Sequence, residues 1–98
     1  MLSFKIEGII WLERVVEKVA GKHGIQIYEV EEVFRNRPRV RLIEKGKVKG
    51  ENLYAAMGRS DGGRYLAAFF IYKKSKEALI VTARGMDRDE RKDYEKRR

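Results

Sequence analysis

The sequence predicts an α+β domain with two N-terminal helices, a four-stranded antiparallel meander preceded by an N-terminal strand, and one C-terminal helix. Apolar residues spaced three and four apart between residues 12 and 34 predict the first two helices. Short runs rich in aromatic and β-branched residues, separated by turn residues, predict strands between residues 39 and 84. Because 98 residues can bury one modest core, we expect a single domain over residues 1–98.

The composition argues against several classes of protein. Cysteine is absent, which removes a disulfide framework and a thiolate zinc site, and His23 is the only histidine. We therefore expect no metal and no cofactor. No apolar run reaches the length of a membrane span and no signal peptide is apparent, so we expect a cytoplasmic protein without a membrane partner.

Positive charge is concentrated in the later two thirds of the chain. The formal net charge is +8, yet residues 1–34 carry four lysines and arginines against six acids, while residues 35–98 carry nineteen against nine. A clustered excess of cations is typical of proteins that bind a polyanion or an acidic partner. We interpret it as a nucleic-acid or partner surface rather than a merely solvated one.

The N-terminal part of the chain predicts one strand and one helix. Residues 2–7 alternate apolar and polar side chains, which favours a short strand, and residues 9–11 continue the apolar stretch toward the helix. The apolar stripe of the first helix runs from Leu12 to Ala20, and Gly24 is expected to end the helix in a left-handed conformation. Lys22 and His23 then lie in its last turn, where cations complement the helix dipole.

A second helix and a basic strand follow. The helix contains Ile27, Val30 and Val33 on one side and must end before Pro38, which disfavours helix at the preceding residue. Residues 39–43 predict a strand whose arginines and aliphatic residues point to opposite faces. A lysine-rich loop then spans residues 44–51. We expect four cations of this region to bind RNA or an acidic partner: Arg39, Arg41, Lys45 and Lys47.

The central hairpin carries the strongest turn signal of the chain. The strands Leu53–Met57 and Tyr65–Tyr72 flank Asp61-Gly62, a pair that favours a two-residue type I′ turn. In that register Arg59 lies directly opposite Arg64. Like charges in opposition destabilise a sheet, so the two side chains either spread into water or hold an anion between them.

Arg84 ends the next predicted strand, Ala78–Ala83, and its orientation depends on the preceding loop. A two-residue loop at Lys74-Ser75 places Arg84 on the face opposite Arg64, whereas a three-residue loop at 74–76 places it on the same face, opposite Leu66. We hypothesise the odd-length loop, or a bulge with the same effect, because it gathers three arginines into one anion site.

The last predicted helix begins after Met86. Asp87 and Glu90 have the spacing of a capping box, in which each side chain bonds the other residue's backbone N–H. Tyr94 lies on this helix, where its ring can pack on the sheet while its hydroxyl reaches the arginine-bearing edge.

Taken in order, short motifs from Trp11 to Glu95 resemble the BrnT toxins of type II toxin–antitoxin systems. The motifs are Trp11, Lys22-His23-Gly24-Ile25, Glu29, Val33-Phe34, Gly58-Arg59-Ser60, Gly63-Arg64, Thr82-Ala83-Arg84, Glu90-Arg91 and Tyr94. The resemblance implies a RelE-like α+β ribonuclease that is metal-independent. It also implies a hetero-oligomer with a BrnA antitoxin, whose ribbon–helix–helix dimer represses its own operon.

The chain departs from the family pattern at five positions. Leu12 stands where the family usually has Asp, and Val15 and Val19 stand where it has Lys and Asn. Gln26 replaces Ser or Thr at the start of the second helix, and Leu79 replaces an arginine. The first helix is therefore more apolar than the family pattern.

Metal-free RNA cleavage requires a base for the 2′-OH, stabilisation of the phosphorane and an acid for the 5′-oxygen. His23 is the conventional base at neutral pH. Arg59, Arg64 and Arg84 are the candidate phosphate ligands, and either Lys22 or Tyr94 is the candidate acid.

Two other functions remain open on the residues alone. The alternative is a non-catalytic basic domain that binds RNA or an acidic partner protein. A third interpretation, an operator-binding module, has only the charge in its favour.

Overall fold

The computed structural model describes residues 5–96. Its elements in chain order are β1 (Gly8–Ile10), α1 (Glu13–His23), α2 (Ile27–Arg35), β2 (Arg39–Glu44), β3 (Leu53–Arg59), β4 (Tyr65–Tyr72), β5 (Glu77–Gly85) and α3 (Arg88–Lys96). Among these residues, no helix combines the length and the apolar character that a membrane span requires.

The strands form one five-stranded sheet in the order β1-β5-β4-β3-β2. β2 to β5 are an antiparallel meander, and β1 joins β5 in parallel. With three helices around this sheet, the predicted α+β class is confirmed.

The predicted N-terminal strand is displaced along the chain. Residues 1–4 lie outside the described part, and residues 5–7 are not in a strand. The strand is instead Gly8–Ile10, which pairs with residues 77–79. Pairing decides its position, since Glu7 N–H donates to the Lys76 carbonyl at 2.8 Å and brings the following residues alongside β5. The apolar pair Ile9-Ile10 therefore belongs to the strand rather than to the approach to α1.

The two faces of the sheet are covered unequally. α1 and α2 pack on one face, here called the helix face, over the main core of buried apolar side chains such as Val19, Val33 and Phe70. α3 packs on the other face, here called the α3 face, over a smaller cluster that contains Met57 and Tyr94. Tyr94 is the buried residue of an otherwise polar helix, so α3 adds little apolar burial.

Two glycines shape the helices, Gly24 by its left-handed backbone and Gly58 by its lack of a side chain. Gly24 has a φ of 62° and ends α1, with its N–H donating to the Ala20 carbonyl at 3.0 Å. This confirms the predicted helix end. Gly58 lies under α2, where a Cβ would come within 3.0 Å of Val33 Cγ1. A side chain at this position would push α2 away from β3.

The central hairpin has a different register from the prediction. Arg59 pairs with Tyr65, not with Arg64. The loop has three residues, Asp61, Gly62 and Gly63; Gly63 N–H donates to the Ser60 carbonyl at 2.9 Å, and Gly63 has a φ of 91°. Glycine as the third loop residue allows a type I turn followed by a left-handed residue, the usual three-residue hairpin. The predicted two-residue type I′ turn is therefore wrong, and Arg59 and Arg64 lie on opposite faces of the sheet.

The next hairpin has the predicted loop length but not the predicted consequence. Lys73 N–H donates to the Glu77 carbonyl at 2.9 Å, which closes a three-residue loop over residues 74–76. However, a bulge in β5 shifts the register between Phe69 and Phe70, so Arg84 lies opposite Ala67 instead of Leu66. Arg84 consequently shares the α3 face with Arg59 and not the helix face with Arg64.

Candidate functional site

The arginines at the strand ends converge on one end of the sheet. β3 ends at Arg59, β4 begins directly after Arg64, and Arg84 is the penultimate residue of β5. The sequence predicted this common end but placed all three side chains on one face. The structure divides them, with Arg64 on the helix face and the other two on the α3 face.

Arg64 connects the hairpin to both N-terminal helices through a single nitrogen. Its Nη1 donates to Glu29 Oε1 at 2.9 Å, to Glu29 Oε2 at 3.0 Å and to the Gly24 carbonyl at 3.1 Å. Glu29 is buried, with 8% of its surface exposed, and also accepts the Gln26 N–H at 3.0 Å. Gly24 directly follows Lys22 and His23, which are both exposed, so this contact brings them to the hairpin end of the sheet.

Arg59 has spare hydrogen-bonding capacity on the α3 face. Its Nη2 lies 3.5 Å from the Gly63 carbonyl, and its guanidinium carbon lies 4.7 Å from the centre of the Tyr65 ring. Its Nε is buried and has no hydrogen-bond partner within residues 5–96. A buried donor without a partner is costly, and an anion would satisfy it once a movement of the side chain exposes Nε.

Arg84 forms a two-pronged ion pair with Glu90 of α3. Its Nη1 and Nη2 donate to the two carboxylate oxygens at 2.6 and 2.8 Å, and its guanidinium lies 5.2 Å from the centre of the Phe69 ring. The hydrogen bond from Arg84 lowers the pKa of Glu90 and raises that of Arg84. Both groups are therefore charged at neutral pH. The two Arg84 nitrogens that would bind a phosphate already donate to Glu90.

The predicted capping box of α3 forms around the same carboxylate. Asp87 N–H donates to Glu90 Oε1 at 2.9 Å, and Glu90 N–H donates to Asp87 Oδ1 at 2.8 Å. Glu90 thus caps the first turn of α3 and fastens the helix to β5.

Tyr94 packs beside a second tyrosine at the same end. Its ring meets Tyr65 edge to face, with centroids 6.0 Å apart. Arg91 lies over the Tyr65 ring at 4.0 Å, and the Tyr65 hydroxyl donates to Glu95. The predicted packing of the Tyr94 ring is confirmed.

Arg39 and Arg41 lie on the α3 face, as the alternation of β2 predicted. They pair across the strands with Met57 and Ala55. Together with Asp89, Glu90, Asp93 and Tyr94 of α3 they line a cleft of about 330 Å³. Lys45 and Lys47 lie in the exposed loop that follows β2.

The register places four arginines on the α3 face. Arg39, Met57, Ala67 and Arg84 form one row across the sheet, Arg59 lies in the row nearest the hairpin, and Arg41 lies on the far side. The α3 face is therefore the more cationic surface of the sheet, and the carboxylates of α3 face part of it.

The sequence indicated the candidate site residues but not the residues that contact them. Glu29 was expected only as part of the family motif, although its position in the first turn of α2 was a capping signal. Tyr65 was expected only as the first residue of a strand and Arg91 only as part of the family motif, since their contacts depend on how α3 crosses the sheet. Within the described ranges no group of acids and histidine is arranged to hold a metal ion.

Comparison with known proteins agrees with this architecture. The chain resembles the ribonuclease toxin BrnT of Brucella abortus, known from a 1.1 Å crystal structure, with a TM-score of 0.59 and 18% identity; the match covers 83% of this chain and 97% of that one. No curated protein sequence matches. The family model described as the ribonuclease toxin BrnT of type II toxin–antitoxin systems matches residues 11–90. Members of such a system have an antitoxin partner. This chain belongs to the BrnT family of ribonuclease toxins.

Proposed function

We propose that this chain is a cytoplasmic, metal-independent endoribonuclease that binds RNA across the hairpin end of its sheet. The observation that supports this proposal is that the candidate proton-transfer pair and the candidate phosphate ligands lie toward the same hairpin end of the sheet. Lys22-His23 is brought there by the Gly24–Arg64 contact, and Arg59, Arg84 and Tyr94 reach the same end on the α3 face. Family membership supports the class of reaction.

The proposed chemistry is attack of the 2′-OH on the adjacent phosphorus. His23 accepts the 2′-OH proton, the O2′–P bond forms, and the P–O5′ bond breaks to leave a 2′,3′-cyclic phosphate. Lys22 or Tyr94 gives a proton to the departing 5′-oxygen. His23 and Lys22 are exposed, and their flexible side chains can therefore reach a bound RNA.

Arg59 is the best-placed ligand for the scissile phosphate. Its buried, unsatisfied Nε and its weak contact with Gly63 leave donors for an anion. Arg84 contributes its charge from the same face, and donates directly only if Glu90 gives up its oxygens. The phosphorane gains more negative charge than the ground state, so fixed arginines stabilise it preferentially.

A non-catalytic binding function is the second candidate, and one observation favours it. Two of the three arginines predicted as phosphate ligands, Arg64 and Arg84, already pair with carboxylates. A domain that uses its arginines in this way retains a basic surface able to bind RNA or an acidic protein without cleaving it.

We further propose that the partner is a BrnA-like ribbon–helix–helix antitoxin, which forms a hetero-oligomer with this chain. β2 is an edge strand of the sheet, and its outer half is exposed. Leu42 and Ile43 are 39% and 40% exposed beside Arg41, Lys45 and Lys47. An acidic segment with apolar side chains would match both the charge and the exposed aliphatic surface.

The experiment is cleavage of mixed cellular RNA by the purified protein in EDTA, together with the variant His23→Gln. We expect cleavage by the wild-type protein, products ending in 2′,3′-cyclic phosphate, and a loss of about a hundredfold or more in the variant. A substrate with a single 2′-deoxy nucleotide at the cleavage site should resist cleavage. RNA binding without cleavage, with translating ribosomes included as substrate, would favour the second candidate.

A further inference from the structure

The ion pair between Glu29 and Arg64 is positioned where it can control the candidate proton-transfer pair. Glu29 belongs to α2, Arg64 to the β3–β4 loop, and Gly24 ends α1. One nitrogen of the Arg64 side chain, Nη1, donates to both the Glu29 carboxylate and the Gly24 carbonyl, at distances up to 3.1 Å. The connection therefore joins three elements at one atom.

The hairpin side of this connection is fixed as well. Ser60 is buried, with 5% of its surface exposed, and its Oγ accepts the Arg64 N–H at 3.1 Å. Ser60 N–H donates to the Arg64 carbonyl at 3.0 Å. The backbone of Arg64 is thus held before its side chain extends toward α1 and α2.

The α1 side depends on this connection. Lys22 and His23 are exposed, and Gly24 after them has a left-handed backbone with nothing near its missing side chain. The next residue, Ile25, is buried in the main core and anchors the chain there, whereas no side chain packs against Gly24 itself. A hydrogen bond from a charged donor to the Gly24 carbonyl adds to this anchor and ties the exposed corner directly to the hairpin.

We propose that Glu29 is a positioning residue: acting through Arg64, it fixes the corner of the chain that presents Lys22 and His23 to RNA. In this role Arg64 connects the helices to the hairpin and does not bind the scissile phosphate. The inference rests on the proposed ribonuclease function. It changes the role of Arg64 within that function and adds Glu29 to it.

The two roles of Arg64 predict opposite responses to loss of the Glu29 charge. If Arg64 binds phosphate, Glu29→Gln releases it for the substrate, and the rate stays constant or rises. If Arg64 instead holds the corner at residues 22–24 in place, the same substitution loosens that corner, and kcat falls about ten- to a hundredfold with KM little changed. Glu31→Gln on the same helix is the matched control, expected to leave kcat unchanged.

A lysine at position 64 separates the roles a second time. All the side-chain contacts of Arg64 come from one nitrogen, and a lysine ammonium can donate to both Glu29 and the Gly24 carbonyl. If Arg64 only holds the corner in place, the kcat of Arg64→Lys should stay within about threefold of the wild-type value. The kcat of Arg64→Gln should then fall as far as that of Glu29→Gln. A bidentate phosphate ligand predicts a loss of about a hundredfold for Arg64→Lys.

A readout that does not need RNA keeps the inference separate from the proposed function. Backbone ¹⁵N relaxation should show lower order parameters at residues 22–24 in Glu29→Gln and Arg64→Gln, and wild-type values in Arg64→Lys and Glu31→Gln. If the wild-type protein cleaves no RNA, the proposed function fails and this measurement alone decides the positioning. Unchanged order parameters in Glu29→Gln, or a rise in its cleavage rate, would overturn the inference. If Glu29→Gln does not fold, Arg64→Lys and Arg64→Gln give the same decision.

Discussion

At the scale of single residues, the environment of each arginine separates side chains that look equivalent in the sequence. Arg64 forms an ion pair with Glu29 and a hydrogen bond with the Gly24 carbonyl, and Arg84 forms an ion pair with Glu90. Arg59, in contrast, retains a nitrogen without a hydrogen-bond partner in the described residues. An anion must compete with a fixed carboxylate for the first two but not for the third. We therefore expect the contribution to phosphate binding to be largest for Arg59.

Replacing Arg59 tests this order. Arg59→Ala should lower the rate of RNA cleavage by about a hundredfold or more, because a donor that stabilises the developing charge is lost. Its contacts with Gly63 and Tyr65 are weak, so the melting temperature should change by only a few degrees. Arg14→Ala, at an exposed position of α1, is the control for removal of a surface arginine. A wild-type rate in Arg59→Ala would remove it from the site.

Departures from the family pattern also have a residue-scale explanation. Val15 and Val19 are buried, 6% and 1% exposed, and face the core beneath α1. Leu12 is the residue that precedes α1, where it offers no side-chain acceptor, whereas an aspartate there would cap the helix. Val15 and Val19 therefore exchange polar groups for core packing, Leu12 does not, and Lys22 and His23 stay exposed.

At the scale of elements, local patterns predicted most of the fold. Both N-terminal helices, the end of α1 at Gly24, the strand β4 and the capping box of α3 follow from spacing and cap residues. These features depend on residues close together in the chain, which is why sequence reasoning reaches them.

Register was the property that local reasoning could not supply. Gly63 permits the three-residue loop at Asp61, and tertiary contacts stabilise it: the Asp61 carboxylate accepts Asn36 Nδ2–H at 2.9 Å, and the Asp61 N–H donates to Glu32 at 3.0 Å. The bulge in β5 likewise has no clear sequence signal. Each shifts the chain by one residue, and one residue moves an arginine to the other face. The candidate residues were thus predictable, but their grouping was not.

The attachment of α3 gives a pH-dependent prediction. The hydrogen bond from Arg84 lowers the pKa of Glu90 below its ordinary value of 4.5. A lowered folded-state pKa means that the pair stabilises the protein above the unfolded pKa and that this contribution is lost as pH falls through the folded one. Glu90→Gln should therefore lower the free energy of unfolding by about 1 kcal/mol at pH 7, and the deficit should shrink toward pH 3.

Urea unfolding followed by circular dichroism at pH 7, 5 and 3 measures this deficit. Asp89→Asn, which removes an exposed charge from the same turn of α3, is the matched control and should show a smaller deficit. A Glu90→Gln deficit that stays constant or grows toward pH 3 would show that the ion pair does not fasten α3.

At the scale of the whole molecule, the sheet separates two surfaces of different chemistry. The helix face contains the main core, while the α3 face and the adjoining edge strand carry Arg39, Arg41, Arg59 and Arg84. An RNA and an acidic protein would both be attracted to the second surface. Antitoxin binding at this surface would therefore exclude RNA by occupying the same cations.

The affinity for the antitoxin should accordingly be strongly salt-dependent. If an acidic segment of the antitoxin, proposed here to be a ribbon–helix–helix protein, covers β2 and the loop after it, raising the salt from 50 to 500 mM should weaken binding about tenfold or more, because the exposed ion pairs are screened. The double variant Lys45→Gln/Lys47→Gln should bind more weakly at low salt and show a shallower dependence. Arg14→Gln/Lys18→Gln removes the same charge from exposed positions of α1 and should follow the wild-type curve. Titration calorimetry across the salt series gives both quantities. A salt-independent affinity, with Arg39 and Arg41 no more buried in the complex than in the free chain, would place the antitoxin elsewhere on the molecule and separate neutralisation from the cationic surface.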